Sequence, residues 1–373
     1  MLKKMFNFSK ELEVVFKAVV KHANHSGVCA YFVGGMVRDF LMGIEIKDTD
    51  LLIEGSAIDF IEKFAVKYKD KLDIKIKSIH KSFDTAKTLI NNTEIDFAST
   101  REENYPFSGC LPVVEKTGCP IKNDLKRRDF TVNAIAAMLS IANDTLNYEI
   151  IDPYNGAEDI KKNILTVLHN KSYIDDPTRI LRGLDFILRF GFDFSPDDKK
   201  LIEEYLQKPD REGLSLDRVK LTLKKLFSDP LRAKEAYEQI LENKYYKIWE
   251  DEPSFKKDWA QRLYEAAALF ETPSSEIFSG AIFENSKVHK PLSSNASNYE
   301  IYNFYKTFSN KDLALHYAIL NDSTALFYFK KLKNVKPDIT GDDLIKQGFA
   351  QGKELGCELS RRFKEKLNLI KRN

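Results

Sequence analysis

The sequence predicts a mixed α/β region followed by an all-helical extension. Three observations carry this prediction: strand-like segments recur up to about residue 150, helical periodicity replaces them after residue 155, and a glycine pair near the start joins a strand to a helix. From these patterns we expect an α/β domain at residues 1–155 and two helical domains at residues 156–229 and 230–373.

The individual elements follow from apolar periodicity. Strand-like segments are predicted at residues 28–33, 50–54, 72–78, 86–90, 94–99 and 146–152. Helices are predicted between them at residues 36–42, 57–68 and 131–140. In the second half, helices are predicted at residues 176–190, 196–206, 216–227, 230–241, 257–270, 299–308, 311–321 and 323–332, with no further strands.

Composition excludes several classes of protein. A hydrophobic share of 43% with 31% charged residues is typical of a globular protein, and the net charge of +2 hides several basic clusters that are compatible with nucleic acid. The 4 cysteines form no C-x-x-C pair, so they predict neither a zinc site nor a disulfide framework. Because no apolar run reaches the length of a membrane span, we expect a cytoplasmic protein without a membrane partner or an obligatory protein partner.

The glycine pair Gly34-Gly35 lies between the predicted strand 28–33 and the predicted helix 36–42. The first amide groups of a helix have no partner within it, and a glycine turn lets an anion approach them closely. This segment therefore predicts a phosphate site, although a glycine pair by itself is most often a plain turn.

Paired carboxylates follow the predicted phosphate site. The second strand is expected to begin at Asp48, and because strand side chains alternate, Asp48 and Asp50 would project to one side and hold Mg²⁺. Asp96, on a later strand, would add a third carboxylate beside them or would be an ordinary strand-edge acid. Glycines for phosphate beside carboxylates for metal are the parts that two-metal phosphoryl or nucleotidyl transfer requires.

A downstream segment, residues 126–134, places basic residues where a nucleotide would need them. Residues 126–134 are expected to open a helix with Arg127 and Arg128, which suit a triphosphate, and with Asn133 within reach of a ribose or phosphate. The alternative is a capped surface helix.

Asp176 and Arg179 are three residues apart and would share one face of a helix. If both face a cavity, the carboxylate accepts from an exocyclic amino group while the guanidinium donates to a ring nitrogen. That pattern admits cytosine and adenine and refuses uracil and guanine. The alternative is an ordinary ion pair within a helix.

Six blocks of the sequence resemble, in order, the conserved blocks of class II tRNA nucleotidyltransferases and bacterial poly(A) polymerases. They are GGMVRDFLMG with DTD, REENYPFSGCLPVV, KRRDFTVNAIA, DPYNGAEDI, DDPTRILRG and ITGDDLIKQGFAQGKELG. The resemblance covers nearly the whole chain. It implies a polymerase-β-like nucleotidyltransferase head at residues 1–155, a nucleotide-selecting helical neck at 156–229, and a helical body and tail at 230–373 that grip the tRNA acceptor arm.

The resemblance also implies roles for single residues. Asp48 and Asp50 would be the metal ligands. Together with Asp96, which the strand pattern rather than the resemblance places beside them, we expect them to be the catalytic carboxylates. Nucleotide would be contacted by residues of three blocks, which are Gly34, Gly35, Arg38, Arg128, Asp129, Asn133, Asp176, Arg179 and Arg182. Within that set Asp176 and Arg179 would select the base.

The chain departs from the family pattern at several positions. Asp84 stands where the family usually has glycine, Asp175 where it has glutamate, and Asp185 where it has arginine, while residues 215–218 match their block loosely. No metal ligand is lost, and neither is the Asp176/Arg179 pair. We therefore expect a Mg²⁺-dependent enzyme that adds CCA to tRNA from CTP and ATP, with a CC-adding, A-adding or poly(A)-adding enzyme, or an inactive RNA-binding homologue, as the alternatives.

Overall fold

The computed structural model describes residue 6 and residues 8–46, 48–288, 290–293 and 295–372. It separates the chain into two compact units, Met1–Ser215 and Leu216–Asn373. The three predicted domains, with their boundaries after residues 155 and 229, stay a prediction.

The first unit contains all of the strands that the structure describes. They are β1 (Ala30–Val33), β2 (Asp50–Ile53), β3 (Ile74–His80), β4 (Thr85–Ile90), β5 (Thr93–Ser99), β6 (Arg101–Asn104), β7 (Val113–Thr117), β8 (Ala136–Ala142), β9 (Thr145–Ile151), β10 (Ile164–Leu165) and β11 (Asp193–Phe194).

Seven of these strands form one mixed sheet in the order β3-β4-β5-β2-β1-β8-β9. The β2/β5 pair is parallel, whereas β1 runs antiparallel to both β2 and β8. β6 and β7 form a separate antiparallel hairpin, and β10 and β11 form a short parallel pair. The centre of the large sheet is β5-β2-β1, which are the strands that carry or adjoin the predicted site residues.

The helices of the first unit cover the sheet and continue beyond it. They are α1 (Lys10–Ser26), α2 (Gly35–Met42), α3 (Ala57–Tyr68), α4 (Ile121–Lys126), α5 (Gly156–Lys162), α6 (Ser172–Asp175), α7 (Thr178–Phe190) and α8 (Pro196–Gln207). Buried side chains of β1, β2, α4 and β8 form a cluster that includes Tyr31, Leu52, Leu125 and Ala136, so the core lies directly under the strands of the predicted site.

The second unit is helical in the part that the structure describes. Its helices are α9 (Leu216–Leu226), α10 (Pro230–Glu242), α11 (Ala260–Leu269), α12 (Ser274–Phe283), α13 (Asn298–Tyr305), α14 (Asn310–Leu320), α15 (Ser323–Phe327), α16 (Gly341–Lys346) and α17 (Lys353–Asn368). No helix among the residues described in either unit is long and apolar enough to span a membrane.

The predicted fold class, an α/β region followed by an all-α extension, is confirmed. Strand segments such as 86–90 and 94–99, and the helix at 57–68, agree with β4, β5 and α3 to within a residue. The prediction of no strands after residue 155 was wrong, because β10 and β11 form a two-residue parallel pair.

The predicted helix at residues 131–140 was wrong. A 3₁₀ turn covers Thr131–Asn133, and the chain then enters β8, which pairs with both β1 and β9. The alanines of β8 favour a helix intrinsically, but pairing on both sides inside a buried sheet outweighs that weak local preference.

Candidate active site

Asp50 and Asp96 lie side by side on the central strands. Parallel pairing of β2 with β5 places the two residues directly opposite each other, so their side chains project to the same face of the sheet. Burial, followed by the charges of Asp96 and Asp48, raises the pKa of Asp50. The structure therefore brings together two of the three predicted carboxylates by strand register, with the third within electrostatic range.

Asp48 is placed differently from the prediction. Strand β2 begins at Asp50, so Asp48 precedes the strand and the argument from alternating side chains does not apply to it. Its charge nevertheless contributes to the raised pKa of Asp50. On the far side of β5, Lys87 of β4 forms an ion pair with Asp96 at 3.2 Å.

A metal ion fits this arrangement when water and phosphate oxygens complete its coordination. A cation would relieve the repulsion that raises the pKa of Asp50. Within the described ranges, no group of three or more His, Cys, Asp or Glu side chains converges closely enough to hold an ion alone. Mg²⁺ usually takes one or two carboxylates and completes its shell with water and phosphate oxygens, so the Asp50/Asp96 pair, with Asp48 adjacent, meets its requirement.

The glycine turn lies where strand β1 passes into helix α2. Gly34 has a backbone φ of +61°, a conformation that glycine adopts without strain, and α2 begins at the next residue. A methyl group at Gly34 would lie 2.8 Å from Nη1 of Arg128, whereas one at Gly35 would lie 3.5 Å from Nη2 of Arg38. Two of the predicted nucleotide-binding arginines thus pack against the two predicted glycines.

Arg128 is not at a helix N-terminus, contrary to the prediction. It follows the C-terminal end of α4, where cationic residues are favoured by the helix dipole. Its guanidinium bonds to the Asp124 carboxylate at 3.0 Å from Nη2 and reaches the carbonyl of Asn133 at 3.4 Å from Nη1. The charge of Arg128 also acts on Asp50, opposing the rise in the pKa of that carboxyl.

Arg38 is held by hydrogen bonds and by aromatic contacts. Its Nε donates to Asp39 and its Nη1 donates to Asn133, both at 2.8 Å. The rings of Phe186 and Phe190 each lie with their centroids 4.9 Å from its guanidinium carbon, so two aromatic rings of α7 contact the guanidinium group.

Asp129 continues this network. It accepts from the Asn133 amide at 2.9 Å and lies 3.8 Å from Nε of Arg182. Burial alone would raise the pKa of Asp129, but the charge of Arg182 and the hydrogen bond from Asn133 outweigh it and hold the pKa below its usual range. Arg182, Asp129, Asn133 and Arg38 therefore form one polar chain that runs from α7 to the glycine turn.

Asp176 does not share a helix with Arg179, contrary to the prediction. It lies between α6 and α7, and its carboxylate accepts from the backbone N–H and the hydroxyl of Thr178, in the manner of a helix cap. Its second oxygen accepts from Nη2 of Arg182 at 3.1 Å. Asp176 is thus paired with Arg182.

Arg179 lines a cavity of about 500 Å³ within the first unit. Arg179 is only 1% exposed. It donates to the hydroxyl of Tyr105 and to the carbonyl of Arg127, each at 3.4 Å. Asp175 and His169, 3.7 Å apart, line the same cavity. The departure at Asp175, a side chain one methylene shorter than glutamate with the same charge, therefore lies in the cavity that Arg179 lines.

Sequence reasoning missed four residues of this neighbourhood. They are Tyr105, Asp124, Arg127 as a wall of the cavity, and His169. Tyr105 and Asp124 each lie within or next to a block that resembles the family, and that was the signal available. Arg179, the partner of Tyr105, is 74 residues away in sequence, so no periodicity could reveal that contact. Arg127 and Arg128 follow Asp124 by three and four residues, a spacing typical of ion pairs on one helix face and visible in the sequence.

A family model described as the poly(A) polymerase head domain matches residues 30–166. Over 91% of this chain, the sequence is 31% identical to an A-adding tRNA nucleotidyltransferase of Aquifex aeolicus, and over 57% of the chain it is 31% identical to a CC-adding tRNA nucleotidyltransferase of Shouchella clausii. The chain covers 45% of the former and 47% of the latter, so it spans less than half the length of these relatives.

A solved structure of a CCA-adding enzyme without ligand has the same fold. It superposes with a TM-score of 0.80 at 24% identity and covers 98% of this chain and 94% of that one. The helical region after the sheet is included in this likeness, which confirms a polymerase-β-like head followed by helices. Residues 30–166 thus match the poly(A) polymerase head domain, and the chain as a whole is similar to tRNA nucleotidyltransferases.

Proposed function

We propose that this protein is a Mg²⁺-dependent, template-independent nucleotidyltransferase that extends the 3′ end of tRNA with CTP and ATP toward CCA. The observation that carries the proposal is the Asp50/Asp96 pair, set by strand register beside a glycine turn that Arg128 contacts. Carboxylates for a cation and an arginine-lined turn for phosphates thus lie in one unit, as nucleotidyl transfer requires.

In the proposed reaction the tRNA 3′ hydroxyl attacks the α-phosphorus of the nucleotide, and pyrophosphate leaves toward the glycine turn. Asp48 and Asp50 are the proposed metal ligands, with Asp96 as the third catalytic carboxylate. When bound, Mg²⁺ would activate the attacking oxygen and neutralise charge on the leaving pyrophosphate. Arg38 and Arg128 would bind phosphate oxygens beside Gly34 and Gly35.

The base would be selected by Asp176 and Arg179, whose polarity fits cytosine and adenine. Arg179 lines the cavity beside Tyr105, which supports its part in this proposal. Asp176 is bonded to Thr178 and Arg182. Reading of an exocyclic amino group by Asp176 therefore requires the base to compete with Arg182 for the carboxylate.

A second candidate function is addition of the terminal A alone. The observation that favours it is the likeness to a relative named as an A-adding enzyme, which extends over 91% of this chain. Both functions use the same site and differ in the nucleotides accepted in succession.

The product decides between these candidates. Purified protein with Mg²⁺ is incubated with three tRNA transcripts, one lacking CCA, one ending in CC and one complete, with CTP and ATP supplied separately and together. Three nucleotides added to the first transcript and none to the last would establish CCA addition. Extension of the second transcript alone, by one A, would establish an A-adding enzyme, whereas CC alone on the first would establish a CC-adding one.

Asp50→Ala tests whether the carboxylates act in chemistry. We expect nucleotide incorporation to fall below about one-thousandth of the wild-type rate, with tRNA affinity retained, because the metal ligands act on the reacting phosphate rather than on the RNA backbone. A wild type that binds tRNA but extends no transcript would overturn the proposal and favour an inactive RNA-binding homologue.

A further inference from the structure

Asp124 is a buried carboxylate in the last turn of α4, and its side chain is 0% exposed. A buried charge is unfavourable unless it is paired and hydrogen-bonded. The two arginines that follow it, Arg127 and Arg128, provide that pairing from opposite oxygens of the one carboxylate.

The geometry of this pairing fixes both guanidinium groups. Oδ1 accepts from Nη2 of Arg127 at 2.8 Å and from its Nε at 3.0 Å, and it also accepts from the backbone N–H of Arg101 at 3.1 Å. Oδ2 accepts from Nη2 of Arg128 at 3.0 Å and from its Nε at 3.3 Å. Two bonds to each planar guanidinium group set its orientation as well as its position.

Within the described residues, Arg127 bonds to a second carboxylate, whereas Arg128 bonds to one. Nη1 of Arg127 donates to Glu103 at 3.1 Å, and Glu103 also accepts from Arg101. The carboxylate that holds Arg128 is that of Asp124. In the part of the chain described, the only other hydrogen bond of Arg128 goes to the carbonyl of Asn133. Loss of the Asp124 charge should therefore release Arg128 before Arg127.

The orientation of Arg128 matters because of what it reaches. Its Nη1 lies against Gly34, at 2.8 Å from the position that a methyl group would take there. Its positive charge also acts on Asp50. If Asp124 did not hold it, repulsion from the adjacent Arg127 and better hydration would favour a rotamer directed to solvent.

We propose that Asp124 is a positioning residue, which holds Arg128 with its guanidinium group directed at the glycine turn so that it can receive the triphosphate. The inference rests on the proposed function and adds a residue that acts through Arg128 without touching the nucleotide. It predicts that replacement of Asp124 by a neutral residue weakens triphosphate binding more than the accompanying loss of stability would explain.

Asp198 provides a matched control in the same unit. It is 1% exposed and lies in the first turn of α8, where it accepts from Ser195, from the hydroxyl of Tyr173 and from the backbone N–H of Val167. Asp198→Asn therefore perturbs a buried carboxylate whose hydrogen bonds serve the fold, without changing a partner of Arg128.

The experiment measures the dissociation constants of CTP and ATP, the KM and kcat for nucleotide addition, and Tm, for wild type, Asp124→Asn and Asp198→Asn. We expect Asp124→Asn to raise the dissociation constant and KM about tenfold or more, the scale on which removal of one partner of a buried charge pair acts. Asp198→Asn should lower Tm while leaving both constants within about twofold of wild type.

A double-mutant cycle with Arg128→Ala separates positioning from a structural role. If Asp124 acts through Arg128, Asp124→Asn should raise KM no further when Arg128 is already alanine, whereas its effect on Tm should persist. Equal increases in KM in the two asparagine variants, or additive increases across the cycle, would overturn the inference. A wild type that binds neither triphosphate would overturn the proposed function and the inference together.

If Asp124→Asn does not fold, Arg128→Lys tests the same inference. Lysine keeps the charge but cannot make the pair of parallel bonds by which Asp124 orients a guanidinium group. We expect its KM to rise as far as that of Arg128→Ala. A KM for Arg128→Lys equal to that of wild type would show that orientation by Asp124 is dispensable.

Discussion

Asp50 is less favourable for the fold than a neutral residue would be. Burial, with the nearby charges of Asp96 and Asp48, raises its pKa, so the folded protein holds that proton more tightly than the unfolded chain. Stability therefore falls as pH rises from the ordinary carboxyl pKa through the folded-state pKa, and it stays reduced at neutral pH. Residues placed for chemistry often carry such a disadvantage.

Asp50→Asn should consequently stabilise the protein at neutral pH while it removes nucleotide incorporation. We expect Tm in metal-free buffer at pH 7.5 to rise by about 2–4 °C, the shift that ~1 kcal/mol produces in a domain of this size. The gain should disappear below about pH 4, where the wild-type carboxyl is neutral as well. A lower Tm for the variant at pH 7.5 would show that the carboxylates do not repel one another in the folded state.

Asp84, at the position where the family usually has glycine, has a local structural role. Its backbone φ is +47°, and its Oδ1 accepts from the backbone N–H of Ile58 at 3.0 Å and from the hydroxyl of Ser56 at 3.2 Å, next to the start of α3. Asparagine and aspartate tolerate this left-handed conformation better than most residues with a side chain. The departure from the family therefore exchanges flexibility for a helix-capping bond.

Asp84→Ala should remove the cap and keep the unfavourable backbone conformation, so we expect it to lower the free energy of unfolding by about 1–2 kcal/mol. Asp84→Gly loses the same bonds but relieves the backbone, and it should lower that free energy by less. Chemical denaturation of both variants measures the difference. An alanine variant as stable as the glycine variant would contradict the backbone strain, and an alanine variant as stable as wild type would contradict the capping role.

At the scale of secondary structure elements, the position of Asn133 depends on the packing of α5. A methyl group at Gly156, the first residue of α5, would lie 2.1 Å from the carbonyl oxygen of Thr131, in the 3₁₀ turn that ends at Asn133. Backbone at such a distance cannot rotate away as a side chain can. The close approach of α5 therefore fixes the turn that presents Asn133 to Arg38.

Gly156→Ala should move this turn, and we expect a loss of about 1–3 kcal/mol in the free energy of unfolding together with a higher KM for nucleotide. Gly356→Ala is the control, because Gly356 lies in α17 with no neighbouring atom within 4 Å of an added methyl group. Alanine favours a helix over glycine, so that variant should be about 0.5–1 kcal/mol more stable. Unchanged stability and KM for Gly156→Ala would contradict the close packing of α5.

At the scale of the whole molecule, some basic side chains are paired with acidic ones. The chain has 58 basic and 56 acidic residues. In α17, Glu358 accepts from both Arg361 and Arg362, and these two arginines lower the pKa of Glu358 to about 2. The pairing is therefore intact throughout the neutral pH range, and these arginines of the predicted tRNA-binding tail are partly neutralised within their own helix.

Glu358→Gln should release that charge. Because each phosphate neutralised by a cation releases a counterion, we expect tRNA affinity to rise at low salt and the slope of log K against log salt concentration to steepen by about 1–2. Filter binding of tRNA at several salt concentrations measures the slope. An unchanged slope would show that Arg361 and Arg362 do not contact RNA.

The sequence alone determined the class of fold and the family, because both depend on signals that are local along the chain. Apolar periodicity located most strands and helices, and the order of six short blocks identified the relatives. Gly34-Gly35 at a strand-to-helix junction was predicted correctly, since the chain there needs a conformation that glycine adopts without strain.

Only the tertiary structure decided which of these residues meet. Pairing of β2 with β5 brings Asp50 opposite Asp96, and α7 brings the rings of Phe186 and Phe190 against Arg38. The same long-range packing converted the predicted helix at 131–140 into β8 and bonded Asp176 to Arg182 rather than Arg179. Side-chain partners are selected by sheet register and by burial, which bring together residues far apart in sequence, and neither is encoded in the spacing of residues along one segment.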